Sequence, residues 1–201
     1  MRRPFTTSSP RLAVAAVPLA LLALTSCSED DGDPETDDRA TAIEALSTAL
    51  AEDTDPGNGQ DPILEDGEVE CMATSLVDEL GVDTLVDEGI LDNDLTKATL
   101  PEDTTSTSVK TANAAAISDC VGIVDYWLRT TRLVLTTLAE QQGEKRYDLS
   151  DAQWAEILAC AEKRLPEAAV RKRAVNNPDQ PLLSEKQLAR LEPCEPEVFG
   201  Q

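Results

Sequence analysis

Apolar residues are distributed along this chain in two ways. A run from Leu12 to Leu24 is almost purely apolar. Later apolar positions fall mostly in spaced patterns. The cleanest is Val69, Met72, Ala73, Leu76, Val77 and Leu80, at i, i+3, i+4, i+7, i+8 and i+11, which puts all six on one stripe of an amphipathic helix. Gly81 follows where a helix end wants a left-handed residue, and Val82, Leu85, Val86 and Ile90 predict a second short helix ending near Gly89. Upstream, Thr41 with Glu44 reads as a capping box opening a helix that carries Ile43, Leu46 and Leu50. Downstream, Ile117, Val121, Val124, Leu128, Leu135 and Leu138 predict one long helix over 109–141, bent at Gly122. At about 1.5 Å per residue it would reach about 50 Å, the longest element of the fold. Ser150 with Gln153 and Ser184 with Gln187 are two further capping boxes, predicting helices that open at Asp151 and Glu185, the first interrupted at Pro166. The segments 52–61 and 92–108 read as loops, and Pro178, Pro181, Pro193 and Pro196 punctuate the tail. Aromatics are only 3 %, the core must be built from Leu, Ile, Val and Ala, and there are no β-rich runs, so the expected fold is all-α, a small disulfide-stapled helical domain.

The N-terminal run is a different object. Arg2, Arg3 and Arg11 precede it and no acidic residue occurs before Glu29. Thirteen residues are too few for the roughly 20 that span a bilayer, and Pro18 interrupts them. The pattern is that of an export leader. Leu24-Thr25-Ser26-Cys27 closes it with a branched aliphatic residue, two small residues and a cysteine. This string resembles the lipobox of bacterial lipoproteins. The resemblance covers only the leader and its closing cysteine, and implies that 1–26 are a signal peptide. It also implies that the Cys27 thiolate takes a diacylglyceryl group as a thioether, and that fatty acyl chains such as palmitate anchor the product at the extracytoplasmic face of the cell membrane. Arg2-Arg3-Pro4-Phe5 resembles the core of a twin-arginine signal but lacks the polar residue before the arginines, which favours the general secretory route. Residues 27–39, rich in Asp and Glu, read as a disordered tether, leaving 40–201 as the helical domain.

Charge narrows the partners. The chain beyond the leader keeps all 39 acidic residues and 14 of the 17 basic ones, a net charge of −25. Phosphate backbones would repel such a surface, so nucleic acid is not an expected partner. Anionic headgroups would repel it too, which leaves the lipid on Cys27 as the membrane contact.

Besides Cys27 the chain has Cys71, Cys120, Cys160 and Cys194. Four cysteines in an exported chain imply two disulfides, with three connectivities open. A metal site is disfavoured. There is no His, and even the nearest pair, Cys160 and Cys194, is too far apart in sequence for a C-x-x-C knuckle. Asp53 and Asp55 suggest a calcium loop only superficially, since Asn58 stands where the Gly is required and Leu64 where the bidentate Glu is required. Alignment on the cysteines shows weak self-similarity. Ser150, Gln153, Trp154, Ala155 and Ile157 before Cys160 match Ser184, Gln187, Leu188, Ala189 and Leu191 before Cys194. Ala115 and Ile117 hold the same offsets before Cys120, and Leu76 and Leu165 each lie five residues after a cysteine. Two related modules, each opening with a Cys-bearing helix and closing with a second Cys, would favour Cys71–Cys120 and Cys160–Cys194. Each pairing would be worth roughly 4 kcal/mol in the chain-entropy account. The stretch from Cys71 to Leu85, together with 149–160, resembles small secreted helical proteins of actinobacteria. That resemblance spans about half of the mature chain and implies no activity.

Candidate chemistry is sparse. Without His, neither a Ser–His–Asp nor a Cys–His arrangement is possible, and no G-x-S-x-G elbow, phosphate loop or dinucleotide fingerprint occurs. With 39 carboxylates, no single pair marks a glycosidase. Tyr126-Trp127 could line a groove but reads better as core with a polar tip. The expectation is therefore a monomeric, membrane-tethered interaction or structural module that is not an enzyme and needs no cofactor. The second reading is a carrier of an apolar small molecule or lipid, with a cavity lined by residues such as Leu76, Val124 and Trp127.

Overall fold

The computed structural model describes residues 34–57, 60–100, 106–142 and 149–195. The leader 1–26, Cys27, the first part of the tether, Asn58, Pro101 and Pro196 lie outside them. The described residues form helices α1 (Pro34–Thr54), α2 (Asp66–Leu80), α3 (Val82–Asp87), α4 (Thr107–Cys120), α5 (Ile123–Gln142), α6 (Asp151–Arg164), α7 (Glu167–Asn176) and α8 (Glu185–Leu191). A 3₁₀ turn, Glu192–Cys194, follows α8. The only extended pairing among them is an isolated antiparallel bridge between Leu91 and Ala98. The fold is all-α.

Two of the three capping boxes open helices where expected. Ser150 and Ser184 each accept a hydrogen bond from the backbone N–H three residues on, while Gln153 and Gln187 reach back to the cap N–H at 2.9 Å, so α6 and α8 open at Asp151 and Glu185. The stripe of α2 buries Val69, Met72, Ala73, Leu76 and Val77, while Leu80 stays half-buried. Gly81, at φ +77°, ends α2 and starts α3.

Three expectations are corrected. The first helix does not start at Thr41. It starts at Pro34, inside the segment read as tether, because Pro needs no N–H partner in a first turn and acidic residues suit the positive end of the helix dipole. Thr41 is interior, its hydroxyl donating to the Asp37 carbonyl at 2.9 Å, and Arg39 is held by Asp78 of α2 at 2.6 Å. The expected long helix over 109–141 is two helices, and α1 with 21 residues is longer than either. Gly122 does not bend the helix; it ends α4. At φ +93° its N–H reaches back five residues to the Ile117 carbonyl (2.8 Å), closing α4, while its own carbonyl accepts from Tyr126 to open α5. The loop 92–108 is shorter than expected, since α4 begins at Thr107.

Packing follows from side-chain size. Helix α4 packs against both α2 and α7. Its alanines make this possible: Ala112, Ala114 and Ala116 are all buried, and small side chains let two neighbours approach opposite faces of one helix. Helix α5 packs on α6 and α7, and α6 on α8. One contiguous core runs through these contacts, with Leu46, Met72, Leu85, Ile123, Leu165, Val170 and Leu191 fully enclosed. Burying each such side chain stabilises the fold by about 1.5–3 kcal/mol. The two cysteine modules thus share a single core, and all of it belongs to the unit that begins at Gly32.

A candidate docking cleft between α5 and α6

The disulfides frame the molecule. Cys71 on α2 is bonded to Cys120 at the end of α4, and Cys160 on α6 to Cys194 in the 3₁₀ turn, each pair with Cα atoms 5.7 Å apart. The structure thus joins the pairs favoured by the internal repeat. Each bond ties together two elements that pack against each other.

A cleft of about 670 Å³ is bounded by α5, α6 and the segment from Gln60 to Glu65. Its floor is apolar: Leu128 and Trp154 are buried, and Ile63, Leu133 and Leu158 are half-buried. Its walls carry Asp61, Glu65, Asp125 and Asp151 against two cations, Arg129 and Arg132.

Arg129 builds the cleft. Its guanidinium donates to the Ile63 carbonyl (3.2 Å), to Glu68 of α2 (2.7 Å) and to Asp125 one turn earlier on α5 (2.6 Å). One side chain therefore fixes the 60–65 segment and the start of α2 against α5. Burial opposes the charge on this guanidinium, but the hydrogen bonds to Asp125 and Glu68, backed by their charges, outweigh it and hold its pKa above the ordinary value. Gln60 adds a weak strap to Glu140 at 3.5 Å. Arg132 lies over the Trp154 ring, 6.0 Å from its centroid, and pairs with Asp151 at the first turn of α6. Both cations of the cleft are thus already matched by carboxylates.

Compared with family models, curated proteins and solved structures, this chain matches none. Its function must be read from its own residues.

The residues expected to line an apolar cavity lie elsewhere than this cleft. Leu76 and Val124 are buried in the core, and Trp127 packs half-buried against it. None of the three borders the cleft. Tyr126 likewise belongs to the core margin, where burial, reinforced by the Asp53 charge and opposed by Thr130, raises its phenol pKa. The aromatic residue at the cleft is Trp154, which the repeat matches to Leu188 as a core position. Cys27 lies outside the described residues. Arg129 escapes notice in the sequence because Asp125-to-Arg129 looks like an ordinary surface i, i+4 pair; nothing local points to Glu68.

Among the described residues no cluster of His, Cys, Asp and Glu could hold a metal ion. The Asp53–Asp55 segment illustrates why. The Asp55 carboxylate accepts from the Gly57 N–H at 2.8 Å, a turn contact, and Leu64 is buried in the core.

Proposed function

We propose that this chain is an exported lipoprotein, anchored at the extracytoplasmic face of the cell membrane by a lipid thioether on Cys27, and that its helical domain serves there as an interaction module and not as an enzyme. The observation that carries this reading is Leu24-Thr25-Ser26-Cys27, placed directly after a basic segment and a 13-residue apolar run. Three features support it. Two disulfides suit an oxidising compartment. No described helix is long and apolar enough to cross a membrane. The chain contains no His to serve as a general base tuned near neutrality. Because α1 begins at Pro34, six residues separate Cys27 from the first helix, half the number expected.

The test is metabolic labelling with a radiolabelled fatty acid, followed by mass analysis of the mature N-terminus. A chain starting at Cys27 and carrying diacylglyceryl mass is expected, with the label lost in Cys27→Ala. A free thiol at Cys27, or an uncleaved leader in the finished product, refutes the anchor.

A second reading, carriage of an apolar small molecule or lipid, draws on the cleft alone, whose volume falls within the roughly 300–1,000 Å³ common to small-molecule sites. Native mass spectrometry of the exported protein separates the two, since a carrier retains a co-purifying ligand.

A further inference from the structure

We infer that the cleft between α5 and α6 is the docking site for a cationic amphipathic helix of a partner protein. The inference rests on the interaction-module reading and names the surface and the chemistry that reading leaves open.

An apolar floor calls for an apolar ridge. Ile63, Leu133 and Leu158 are half-buried with no covering element among the described residues. A groove between α5 and α6 with such a floor can receive one face of a helix through side chains at i, i+3, i+4 and i+7.

The rim selects the sign of the partner. Four carboxylates face the cleft against two guanidiniums; Asp125 and Asp151 are taken up by Arg129 and Arg132, which leaves Asp61 and Glu65 on the 60–65 wall with no basic partner among the described residues. The surroundings reinforce this. Between residues 28 and 100 the chain has 23 Asp and Glu against Arg39 and Lys97, and the 60–65 wall of the cleft belongs to that segment. A field of this sign draws cationic ligands towards the cleft and repels anionic ones. It also argues against a second copy of this chain as the occupant, because two mature chains of net charge −25 repel each other.

The experiment uses the chain from Ser28 to Gln201, which contains the whole described core and both disulfides, exported behind a cleavable leader. The probe is a peptide of about 18 residues, roughly 27 Å as a helix, built from Leu and Lys with the leucines on one face. Two controls accompany it: a twin with Glu in place of every Lys, and a scrambled peptide whose leucines surround the helix. Calorimetry at about 0.15 M salt, where exposed charges are screened beyond roughly 8 Å, reads the affinities. The faced Lys peptide is expected to bind, the Glu twin not at all, and the scrambled peptide about tenfold more weakly. Leu133→Lys and Asp61→Lys should each weaken binding about tenfold, while Asp87→Lys on α3, outside the cleft, should leave it within about twofold.

Equal weakening by all three variants would mean bulk electrostatic attraction and would overturn the proposal. So would binding of a simple alkylamine where no peptide binds, which would make the cleft a small-molecule site. Absence of any peptide binding would overturn it too. The chain used is unlipidated, so these outcomes are independent of Cys27. Failure at the cleft leaves the anchored-module reading to its own labelling test.

Discussion

The junction between α4 and α5 allows a sharp test of how this fold is held. Helix α5 starts without a side-chain cap of its own. A carboxylate 44 residues away in sequence supplies it: Glu167, the first residue of α7, accepts from the Ile123 N–H at 2.8 Å and the Val124 N–H at 3.4 Å, and from the Ser118 hydroxyl at 3.2 Å. First-turn N–H groups have no partner within their own helix, and a negative charge there also meets the positive end of the helix dipole. Loss of an N-cap costs about 0.5–2 kcal/mol, and a hydrogen bond to a charged group contributes about 1.5–3 kcal/mol. Glu167 is only half-buried, so water can replace part of what is lost. Glu167→Ala should therefore cost about 2 kcal/mol, where the two ranges meet. Glu167→Gln keeps one acceptor oxygen but no charge and should cost about 1 kcal/mol, the scale of a neutral hydrogen bond. With a urea slope of about 2 kcal/mol per molar, the midpoint followed by circular dichroism should fall by about 1 M and about 0.5 M respectively. An unchanged midpoint for the Ala variant would show that α5 needs no cap from α7. Equal losses for Ala and Gln would assign the effect to packing of the Glu167 stem and not to its carboxylate.

Three further outcomes follow from named contacts. Gly122→Ala meets no atom closer than 3.9 Å, so its expected cost of about 1–2 kcal/mol comes from the left-handed backbone alone; a neutral midpoint would mean that Gly122 is not held at φ +93°. Arg129→Leu fills similar volume but strands Glu68 and Asp125 and frees the Ile63 carbonyl, and should cost about 1–2 kcal/mol and increase proteolysis between Gln60 and Glu65; an unchanged cleavage pattern would remove its role in fixing that wall. Asp92 accepts from the backbone of Lys97 and of Thr96, which holds its carboxyl below the ordinary carboxylate range. A depressed folded value means that the loop is favoured at neutral pH and loses that support only as pH falls through the lowered value. The Thr96 and Lys97 amide resonances should titrate with that depressed midpoint, and a midpoint at or above the ordinary value would refute the contact.

What is legible in the sequence is what is encoded within a few residues. The capping boxes at Ser150 and Ser184 place two helix starts correctly, whereas Thr41 and Glu44, with the same spacing, lie inside α1, where the Thr41 hydroxyl bonds back to the Asp37 carbonyl. The α2 stripe is legible because one helix face meets one core. The break at Gly122 is not, because the apolar period continues through Val121 and Val124 as though nothing intervened. Only the left-handed glycine and the distant Glu167 turn a suspected bend into an end. The start of α1 is hidden for a different reason. A run of Asp and Glu without apolar residues looks like solvated chain, and the contact that engages it, Arg39 with Asp78, bridges 39 positions. The cleft is hidden in the same way. Leu133 falls off the stripe of Leu128 and Leu135, where a search for core positions does not look, and its far wall comes from a loop.

The charge distribution also predicts how the domain responds to salt. Six ion pairs link described residues, from Arg39–Asp78 to Arg171–Asp119. All are partly or largely exposed, and such pairs contribute about 0–1 kcal/mol each. Against them stands the repulsion among α1, α2 and α3, which lie within the segment carrying 23 carboxylates and two cations. The two effects act over different distances. Ion pairs at about 2.6–2.7 Å are little affected by a screening length that shrinks from about 30 Å at 0.01 M to about 3 Å at 1 M, whereas repulsion across helices is removed almost entirely. Salt should therefore stabilise this domain. The urea midpoint should rise between about 0.01 M and about 0.5 M sodium chloride, and the rise should be smaller in a variant that places Lys at Asp83 and Asp87 of α3. A midpoint that falls with salt would mean that the ion pairs outweigh the repulsion, and the acidic field invoked at the cleft would then be too weak to select a partner.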